Sequence, residues 1–131
     1  MSWSVEVAID PAWYEVKGVL ADRPCPAPTA AVWALGSGTT LVGRNSSGRG
    51  VHPEIALDDD TGVSRRHAEF VVSGEKLFVV DRSSTNGTYV LSDTEHYGPE
   101  TPPIQPEVAR ALQHGDRVYL GAWTRMTVSV S

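Results

Sequence analysis

This sequence has only one cysteine, no long apolar run and no excess of positive charge. The single cysteine, Cys25, excludes an intramolecular disulfide and is consistent with a reducing cytoplasm. No run of about 18 or more apolar residues exists, which excludes a transmembrane helix, and residues 1–6 lack the pattern of a signal peptide. The formal net charge of −5 argues against nucleic-acid binding over the whole surface. These features predict a cytoplasmic protein without membrane insertion or a nucleic-acid partner.

Patterns typical of α-helices are nearly absent and no internal repeat is visible, whereas strand patterns are frequent. Apolar and polar residues alternate from Trp3 to Ile9, which predicts a half-buried strand. Residues 12–19 predict a second strand or a continuation of the first after Pro11, and the side chains of Trp33 and Trp123 are expected in the core. Further short strands are predicted at residues 31–35, 39–42, 54–57, 67–73, 76–81, 88–91, 116–120 and 125–130.

Glycine and proline mark the connections between these strands. Gly36–Gly38 predicts a hairpin between the strands that flank it, and Gly74-Glu75 predicts another. Residues 92–109 hold four prolines, so they are predicted to form an extended loop, with one helical turn over 108–112. Many short strands joined by glycine turns predict an all-β domain over residues 1–131, an antiparallel β-sandwich of two sheets.

Three loop clusters carry the residue types that bind an anion. Arg44 follows one apolar run, Ser64 and Arg65 precede the next strand, and Thr85 and Asn86 follow the strand after that. Arginine offers a rigid fork of donors that matches phosphate oxygens, and hydroxyl groups add short hydrogen bonds. The sequence therefore predicts a phosphate pocket formed by loops at strand ends.

The same residues resemble a known family, the forkhead-associated (FHA) domain, in its bacterial and especially actinobacterial form. The resemblance covers residues 39–131, which would be the motif-bearing core of the domain, and the motifs occur in the family's order. These motifs are Gly43-Arg44, Ser64-Arg65-Arg66-His67, Ser84-Thr85-Asn86-Gly87-Thr88, and Gly115-Asp116-Arg117-Val118 with Gly121.

The resemblance implies a β-sandwich of about eleven strands that binds phosphothreonine peptides with the loops at one end. By this resemblance Arg44 would contact the phosphate, Ser64 would donate its hydroxyl, and Arg65 would add a second cation. Thr85 would donate to the phosphate or to the neighbouring backbone, and Asn86 would hold the peptide main chain. The implied partner is a phosphothreonine protein, either a serine/threonine kinase or its substrate.

The resemblance also implies structural and specificity roles. Gly43, His67 and Gly87 would be structural, with His67 ordering the loop that presents the serine. Arg82 and Ser83 would select the peptide residue three positions after the phosphothreonine, and the guanidinium suggests a preference for an acidic residue there. No cofactor, metal or catalytic residue is implied, and the chain would be a non-catalytic reader in kinase signalling.

Other functions fit the residues less well. An enzyme using Ser64 as nucleophile and His67 as base would lack the nucleophile elbow, and a spacing of three on a strand points the two side chains to opposite faces. The histidines lack metal-ligand spacing, and residues 58–60 lack the alternation of a calcium loop. No glycine-rich turn from strand to helix suggests a nucleotide.

Simpler interpretations remain open for single residues. Arg44 could form an ion pair with residues 58–60, Ser64 could cap a turn, and Asn86-Gly87 could be only a hairpin turn. The main rival function is a phosphate-independent interaction module that presents a strand edge or the 92–109 loop to its partner. The chain could be a freestanding adaptor or part of a larger protein.

Overall fold

The computed structural model describes all residues from Met1 to Ser131, and strands dominate it. The elements are β1 (Trp3–Ile9), α1 (Pro11–Lys17), a 3₁₀ turn (Gly18–Leu20), β2 (Ala30–Leu35), β3 (Gly38–Gly43), a second 3₁₀ turn (Ser47–Arg49), β4 (Ile55–Ala56), β5 (Arg66–Ser73), β6 (Lys76–Asp81), β7 (Thr88–Leu91), β8 (Arg110–Leu112), β9 (Arg117–Leu120) and β10 (Thr124–Val130).

The ten strands form two five-stranded sheets. The first sheet has the order β2-β1-β10-β9-β7, and the second has the order β4-β3-β5-β6-β8. Neighbouring strands are antiparallel except β3 and β4, which are parallel over two residue pairs. The predicted β-sandwich of two sheets is confirmed, with ten strands where the resemblance implied about eleven.

The core lies between the inner faces of the two sheets. Alternation along the strands places Val5 of β1 and Val118 of β9 on the inner face of the first sheet, and both are fully buried. Phe70 of β5 and Val79 of β6 cover the inner face of the second sheet. These side chains belong to a continuous cluster of 17 buried apolar residues, which joins the sheets into one layered structure.

The segment after β1 is a helix, so the strand predicted for residues 12–19 was wrong. Asp10 caps the helix, because its side-chain oxygen accepts hydrogen bonds from the backbone N–H groups of Ala12 and Trp13. Pro11 occupies the first turn, where no N–H is required. The helix buries Trp13 against Leu91 and Tyr119. No helix of the chain is long and apolar enough to cross a membrane.

The hairpin predicted at Gly36–Gly38 was also wrong, although both flanking strands exist. β2 pairs with β1 in the first sheet, whereas β3 pairs with β5 in the second. The glycine-containing loop therefore carries the chain from one sheet to the other. Local turn chemistry indicates where the chain reverses, but only long-range pairing decides which strand each segment joins.

Two smaller predictions near the edges of the sheets need correction. The residues expected to form one helical turn include β8, which pairs with β6 because Leu112 is buried in the core. The side chain of Trp33, expected in the core, is 42% exposed on edge strand β2, whereas Trp123 is buried as expected. The predicted hairpin between β5 and β6 is confirmed, since the two strands pair in register up to Ser73 and Lys76.

Candidate functional site

Three loops that carry the candidate site residues lie at the same end of the second sheet. β5 is antiparallel to both β3 and β6, so the end of β3 lies beside the start of β5, which in turn lies beside the end of β6. Gly43 is paired with Arg66, and Ala68 is paired with Asp81. The loops after β3, before β5 and after β6 are thus brought together by the topology of one sheet.

Arg44 is held at the mouth of this loop cluster by two backbone contacts. Its backbone N–H donates to the carbonyl of Arg65 at 3.1 Å, and its Nε donates to the carbonyl of Val63 at 2.6 Å. The side chain is half-buried, and its terminal guanidinium nitrogens have no hydrogen-bond partner within the chain. Nε is the only anchored part of the guanidinium, so the two terminal nitrogens are free to bind a ligand.

The ion pair between Arg44 and the neighbouring acids is not formed. No carboxylate lies within 4.0 Å of its guanidinium. Asp58 instead accepts hydrogen bonds from the side chain and the backbone of Asn45, which lower the pKa of its carboxyl, with a smaller contribution from the charge of Arg44. The arginine therefore keeps its charge available for an external anion.

Gly43 allows the close approach of two strands that positions this arginine. A Cβ atom at residue 43 would lie 1.8 Å from the backbone oxygen of Arg65, a distance that no side chain can tolerate. The pairing between β3 and β5 also shifts register between Val42 and Gly43, as in a β-bulge. Any residue with a side chain at this position would therefore force the two strands apart.

Ser64 connects the loop before β5 to the loop after β6. Its side-chain oxygen accepts a hydrogen bond from the backbone N–H of Thr85 at 3.0 Å, and its own hydroxyl proton remains available to a ligand. Its backbone N–H donates to Nδ1 of His67 at 3.0 Å. The serine is therefore oriented from both sides.

His67 is completely buried. Its Nδ1 accepts from the backbone of Ser64, so Nε2 carries the proton and donates to the carbonyl of Gly87 at 2.9 Å. Burial lowers the pKa of this imidazole and keeps it neutral. The histidine contacts the backbone of Ser64 and not its hydroxyl, which is an arrangement for ordering two loops and not for activating a nucleophile.

Asn86 and Thr85 form the third part of the cluster. Nδ2 of Asn86 donates to the carbonyl of Gly62 at 2.9 Å, which fixes the amide and leaves its side-chain oxygen unpaired within the chain. Gly87 follows with a φ of 85°, a conformation that favours glycine. The exposed side chains of Thr85 and Arg65 have no hydrogen-bond partner in the chain. The structure thus brings all five predicted ligand-binding residues into one cluster.

Arg82 and Ser83 belong to the same loop but contact different residues. Two glutamates hold the Arg82 guanidinium: Nε donates to Glu107 at 3.0 Å, and Nη1 forms an ion pair with Glu69 that raises the pKa of the arginine. The Ser83 hydroxyl donates to the other oxygen of Glu107 at 3.0 Å. No hydrogen bond joins these two residues to the five of the cluster.

Two buried carboxylates that were not among the predicted site residues support the loops. Asp60, only 1% exposed, accepts hydrogen bonds from the backbone of Gly62 and Ala122 and from the hydroxyl of Thr124. Asp81 accepts from both Ser84 and Thr88. The three consecutive aspartates look alike in the sequence, so no local signal distinguishes the buried residue of this run. No group of three or more His, Cys, Asp or Glu side chains in the chain could hold a metal ion.

Loops at one end of this two-sheet β-sandwich present arginine, hydroxyl and amide groups, which are suited to binding a phosphate. The family model of the FHA domain matches residues 40–121, and the chain belongs to this family. The FHA domain is a phosphothreonine-binding module, and the resemblance seen in the sequence is confirmed.

Curated relatives of the chain come from actinobacteria. The oxoglutarate dehydrogenase inhibitor of Corynebacterium glutamicum is 40% identical over 93 residues, which are 70% of this chain and 51% of the relative. The glycogen accumulation regulator GarA of Mycolicibacterium smegmatis is 42% identical over 83 residues, 62% of this chain and 44% of the relative. The chain spans about half the length of the curated relatives it matches.

Solved structures share the fold over nearly the whole chain. A domain solved in a structural and functional analysis of phosphothreonine-dependent FHA domain interactions is 27% identical, with a TM-score of 0.59 over 98% of this chain and 97% of that one. The FhaA FHA domain, solved in complex with the intracellular domain of Rv3910, is 27% identical with a TM-score of 0.58 over 95% and 98% of the two chains. The FHA domain of the Chlamydia trachomatis protein CT664, 22% identical with a TM-score of 0.66 over 100% and 99%, shows the same fold.

Proposed function

We propose that this chain is a non-catalytic reader of phosphothreonine peptides in a cytoplasmic serine/threonine-kinase pathway. The single observation that carries the proposal is that some loop groups are fixed by contacts within the chain, whereas others have no partner there. Backbone contacts and the neutral His67 hold the loops in place, while the terminal nitrogens of Arg44 and the side chains of Arg65 and Thr85 have no partner in the chain. The backbone of this cluster is held by hydrogen bonds, whereas its cationic groups and hydroxyl donors have no partner in the chain. Such a cluster is preorganised for an anionic ligand.

Each residue has a proposed role. The terminal nitrogens of Arg44 bind the phosphate, and Arg65 adds a second cation. The hydroxyls of Ser64 and Thr85 donate to phosphate oxygens. The free side-chain oxygen of Asn86 accepts from the peptide backbone next to the phosphothreonine, since its Nδ2 is already anchored. This arrangement uses every predicted ligand-binding residue and requires no cofactor or metal.

The energetics are consistent with a reversible signalling interaction. A phosphothreonine carries about −1.5 to −2 charges and three strong acceptor oxygens. Each charge-assisted hydrogen bond contributes roughly 1.5–3 kcal/mol, part of which offsets desolvation and the ordering of the peptide. We expect a micromolar Kd, which corresponds to a binding free energy of about −8 kcal/mol. Loss of the arginine that binds the phosphate would then remove measurable binding.

The relatives support a regulatory role. One is an inhibitor of oxoglutarate dehydrogenase and another is a regulator of glycogen accumulation. The FhaA FHA domain binds the intracellular domain of another protein. By analogy, the proposed partner of this chain is a phosphothreonine-containing kinase or kinase substrate, whose activity or location changes when the domain binds.

Selection of the residue three positions after the phosphothreonine is proposed for Arg82 and Ser83. Glu69 and Glu107 already bind this guanidinium at two different nitrogens, so the three charged groups together carry a net charge of about −1. An acidic peptide residue at that position would meet this excess negative charge and would share the guanidinium with the two glutamates. We therefore propose that Glu107, from the 92–109 loop region, weakens the preference for an acidic peptide residue that the arginine alone would produce.

The proposal is tested by fluorescence anisotropy with a degenerate phosphothreonine peptide pool and its unphosphorylated, phosphoserine and phosphotyrosine counterparts. We expect micromolar binding of the phosphothreonine pool only, and loss of that binding in Arg44→Ala. Arg49→Ala is the matched control, because this arginine lies exposed in the same loop without a hydrogen bond from its side chain. Equal binding with and without phosphate, or unchanged binding by Arg44→Ala, would refute the proposal.

A further inference from the structure

Strand β2 forms an edge of the first sheet with no neighbour on its outer side. Residues 30–34 are all exposed, and they include Val32 at 70% and Trp33 at 42% exposure. The whole stretch from Thr29 to Gly43 holds no charged residue. Edge strands are normally protected by charges, prolines or bulges, because their unpaired backbone groups are a template for further strands. This edge lacks such protection.

The backbone groups on the outer side of β2 can be assigned from the pairing with β1. Ile9 donates its N–H to its partner Thr29 at 3.1 Å, and in an antiparallel pair such directly bonded residues alternate with unbonded ones. The odd-numbered residues of β2 therefore bond to β1. The N–H and C=O groups of Ala30, Val32 and Ala34 point away from the sheet, and no hydrogen bond within the chain uses their N–H groups.

The two sheets do not close against each other at this edge. A cavity of about 490 Å³ opens between β2 of the first sheet and β4 of the second. Its walls are mainly apolar and include Ala31 and Trp33 on one side and Ile55 and Leu57 on the other. A strand added to β2 would place every second side chain over this cavity, where apolar side chains would be removed from water.

The charges around the edge are acidic. Asp58 and Asp59 line the cavity; Asp58 forms no ion pair, and Asp59 has only an exposed contact with Arg23 at 3.4 Å. Glu6, the register partner of Val32, also forms no ion pair. A second copy of the chain would bring these acids together and add a second net charge of −5, which disfavours self-association.

We propose that the β2 edge binds an extended, unphosphorylated segment of a partner protein as an additional strand. The segment has apolar side chains at the alternate positions that face Trp33 and Ile55. It carries lysine or arginine at the outward positions beside Glu6 and at the end that reaches Asp58. This is a second docking surface, formed by elements other than the phosphate loops, so a phosphorylated partner can be held at two points.

The direct test uses two unphosphorylated ten-residue peptides, one of alternating valine and lysine and the other of alternating valine and glutamate. Amide hydrogen exchange of the full chain is followed by NMR. The lysine peptide is expected to slow exchange at Ala30, Val32 and Ala34 at least tenfold, and the glutamate peptide is not. A third peptide is the lysine peptide methylated on the backbone nitrogen of each lysine. It has nearly the same charge and composition but cannot complete the strand pairing, so it is not expected to slow exchange at these amides.

Variants of the edge complete the test. Val32→Pro removes an outward N–H that β1 does not use. Val32→Lys keeps the backbone but adds a charge that repels the lysine peptide. Each variant should bind the lysine peptide at least tenfold more weakly. Retained phosphothreonine binding or an unchanged circular dichroism spectrum shows that the variants are folded. Arg44→Ala should bind the lysine peptide normally, so this result does not depend on the phosphate site.

Three results would overturn the proposal. The first is an absence of protection at the three outward amides when the lysine peptide is present. The second is equal binding of the glutamate peptide, which would exclude recognition by charge, or of the N-methylated peptide, which would exclude strand pairing. The third is protection of the same amides that grows with protein concentration without peptide, together with dimers in sedimentation, which would assign the edge to a second copy.

Discussion

The side-chain oxygen of Ser64 accepts a hydrogen bond from the backbone N–H of Thr85 at 3.0 Å, and the two residues are 21 positions apart in the chain. This contact joins the loop before β5 to the loop after β6. His67 reinforces the same junction, because its ring bridges the backbone of Ser64 and the carbonyl of Gly87. The candidate site is therefore one cross-linked structure and not three independent loops.

The Ser64–Thr85 contact can be tested with Ser64→Ala. We expect a loss of about 0.5–1 kcal/mol in the free energy of unfolding, since an exposed hydrogen bond between the two loops is removed. We also expect phosphothreonine peptides to bind at least about tenfold more weakly, because a phosphate donor is lost along with the link between the loops. Urea unfolding and fluorescence anisotropy measure the two effects. Ser73→Ala, at an exposed hairpin end, is the control and should change neither quantity.

Gly43→Ala tests the close approach of β3 and β5. The added methyl group would lie 1.8 Å from the Arg65 oxygen, so the strand pair must separate beside Arg44. We expect a loss of about 1–3 kcal/mol in stability and a loss of peptide binding. Gly48→Ala is the matched control, because nothing lies within 4 Å of its added carbon. Wild-type affinity in Gly43→Ala would show that the register of these strands does not position the arginine.

The neutral state of His67 predicts a specific dependence of stability on pH. Its pKa is lowered by burial in the folded protein, whereas the unfolded chain has a value of about 6.5. The unfolded state therefore binds more protons below that pH. The contribution of this residue to stability is complete above about pH 6.5 and declines as the pH falls toward its folded pKa.

Urea unfolding between about pH 8 and 5 measures this dependence. His67→Gln should remove the part of the slope that begins near pH 6.5, while His52→Gln, on the exposed loop, should retain it. An unchanged slope in the first variant would mean that other groups cause the decline.

Among the three consecutive aspartates, Asp60 is expected to contribute most to the stability of the fold. Asp60→Asn replaces a buried carboxylate that accepts several hydrogen bonds with an amide that cannot accept them all, and we expect a loss of about 2–4 kcal/mol in stability. Asp59→Asn, at the exposed neighbouring position, should cost no more than about 0.5 kcal/mol. Thermal or urea unfolding of the two variants distinguishes them, and similar losses would contradict the assignment.

Glu107→Gln tests the proposed control of peptide selection. Removing one of the two carboxylates that hold Arg82 should free its guanidinium for the peptide. We expect phosphothreonine peptides with an acidic residue at the third following position to gain roughly threefold to tenfold in affinity, about 1 kcal/mol. Peptides with alanine there should be unaffected, and anisotropy titrations with the matched pair compare them. A similar gain for both peptides would place Glu107 outside the specificity pocket.

Much of the fold could be predicted because its signals are local. Alternation of apolar residues predicted β1, and the hairpin between β5 and β6 was confirmed through its Gly74 turn. The ordered loop motifs predicted the candidate site, and Arg44, Ser64 and Asn86 indeed lie in the same loop cluster. Their roles as peptide ligands stay predictions until binding is measured.

The errors arose where a local pattern competed with a capping or long-range contact. The segment after Ile9 alternates enough to suggest a strand, but Asp10 and Pro11 start a helix that buries Trp13 against the outer face of the first sheet. Trp33 suggested a core residue by its type, yet an edge strand and an open cavity leave it partly exposed.

The sequence by itself determined that the chain is a β-sandwich with an arginine, hydroxyl and amide cluster in its loops, because residue type and periodicity act over a few neighbouring positions. Only the tertiary structure decided that β2 and β3 belong to different sheets and that Asp60, not its neighbours, is buried. It also decided that Glu107 reaches Arg82 across 25 positions. Strand partners and buried polar contacts depend on groups far apart in the chain, whose meeting is set by the shared core and by the satisfaction of backbone hydrogen bonds.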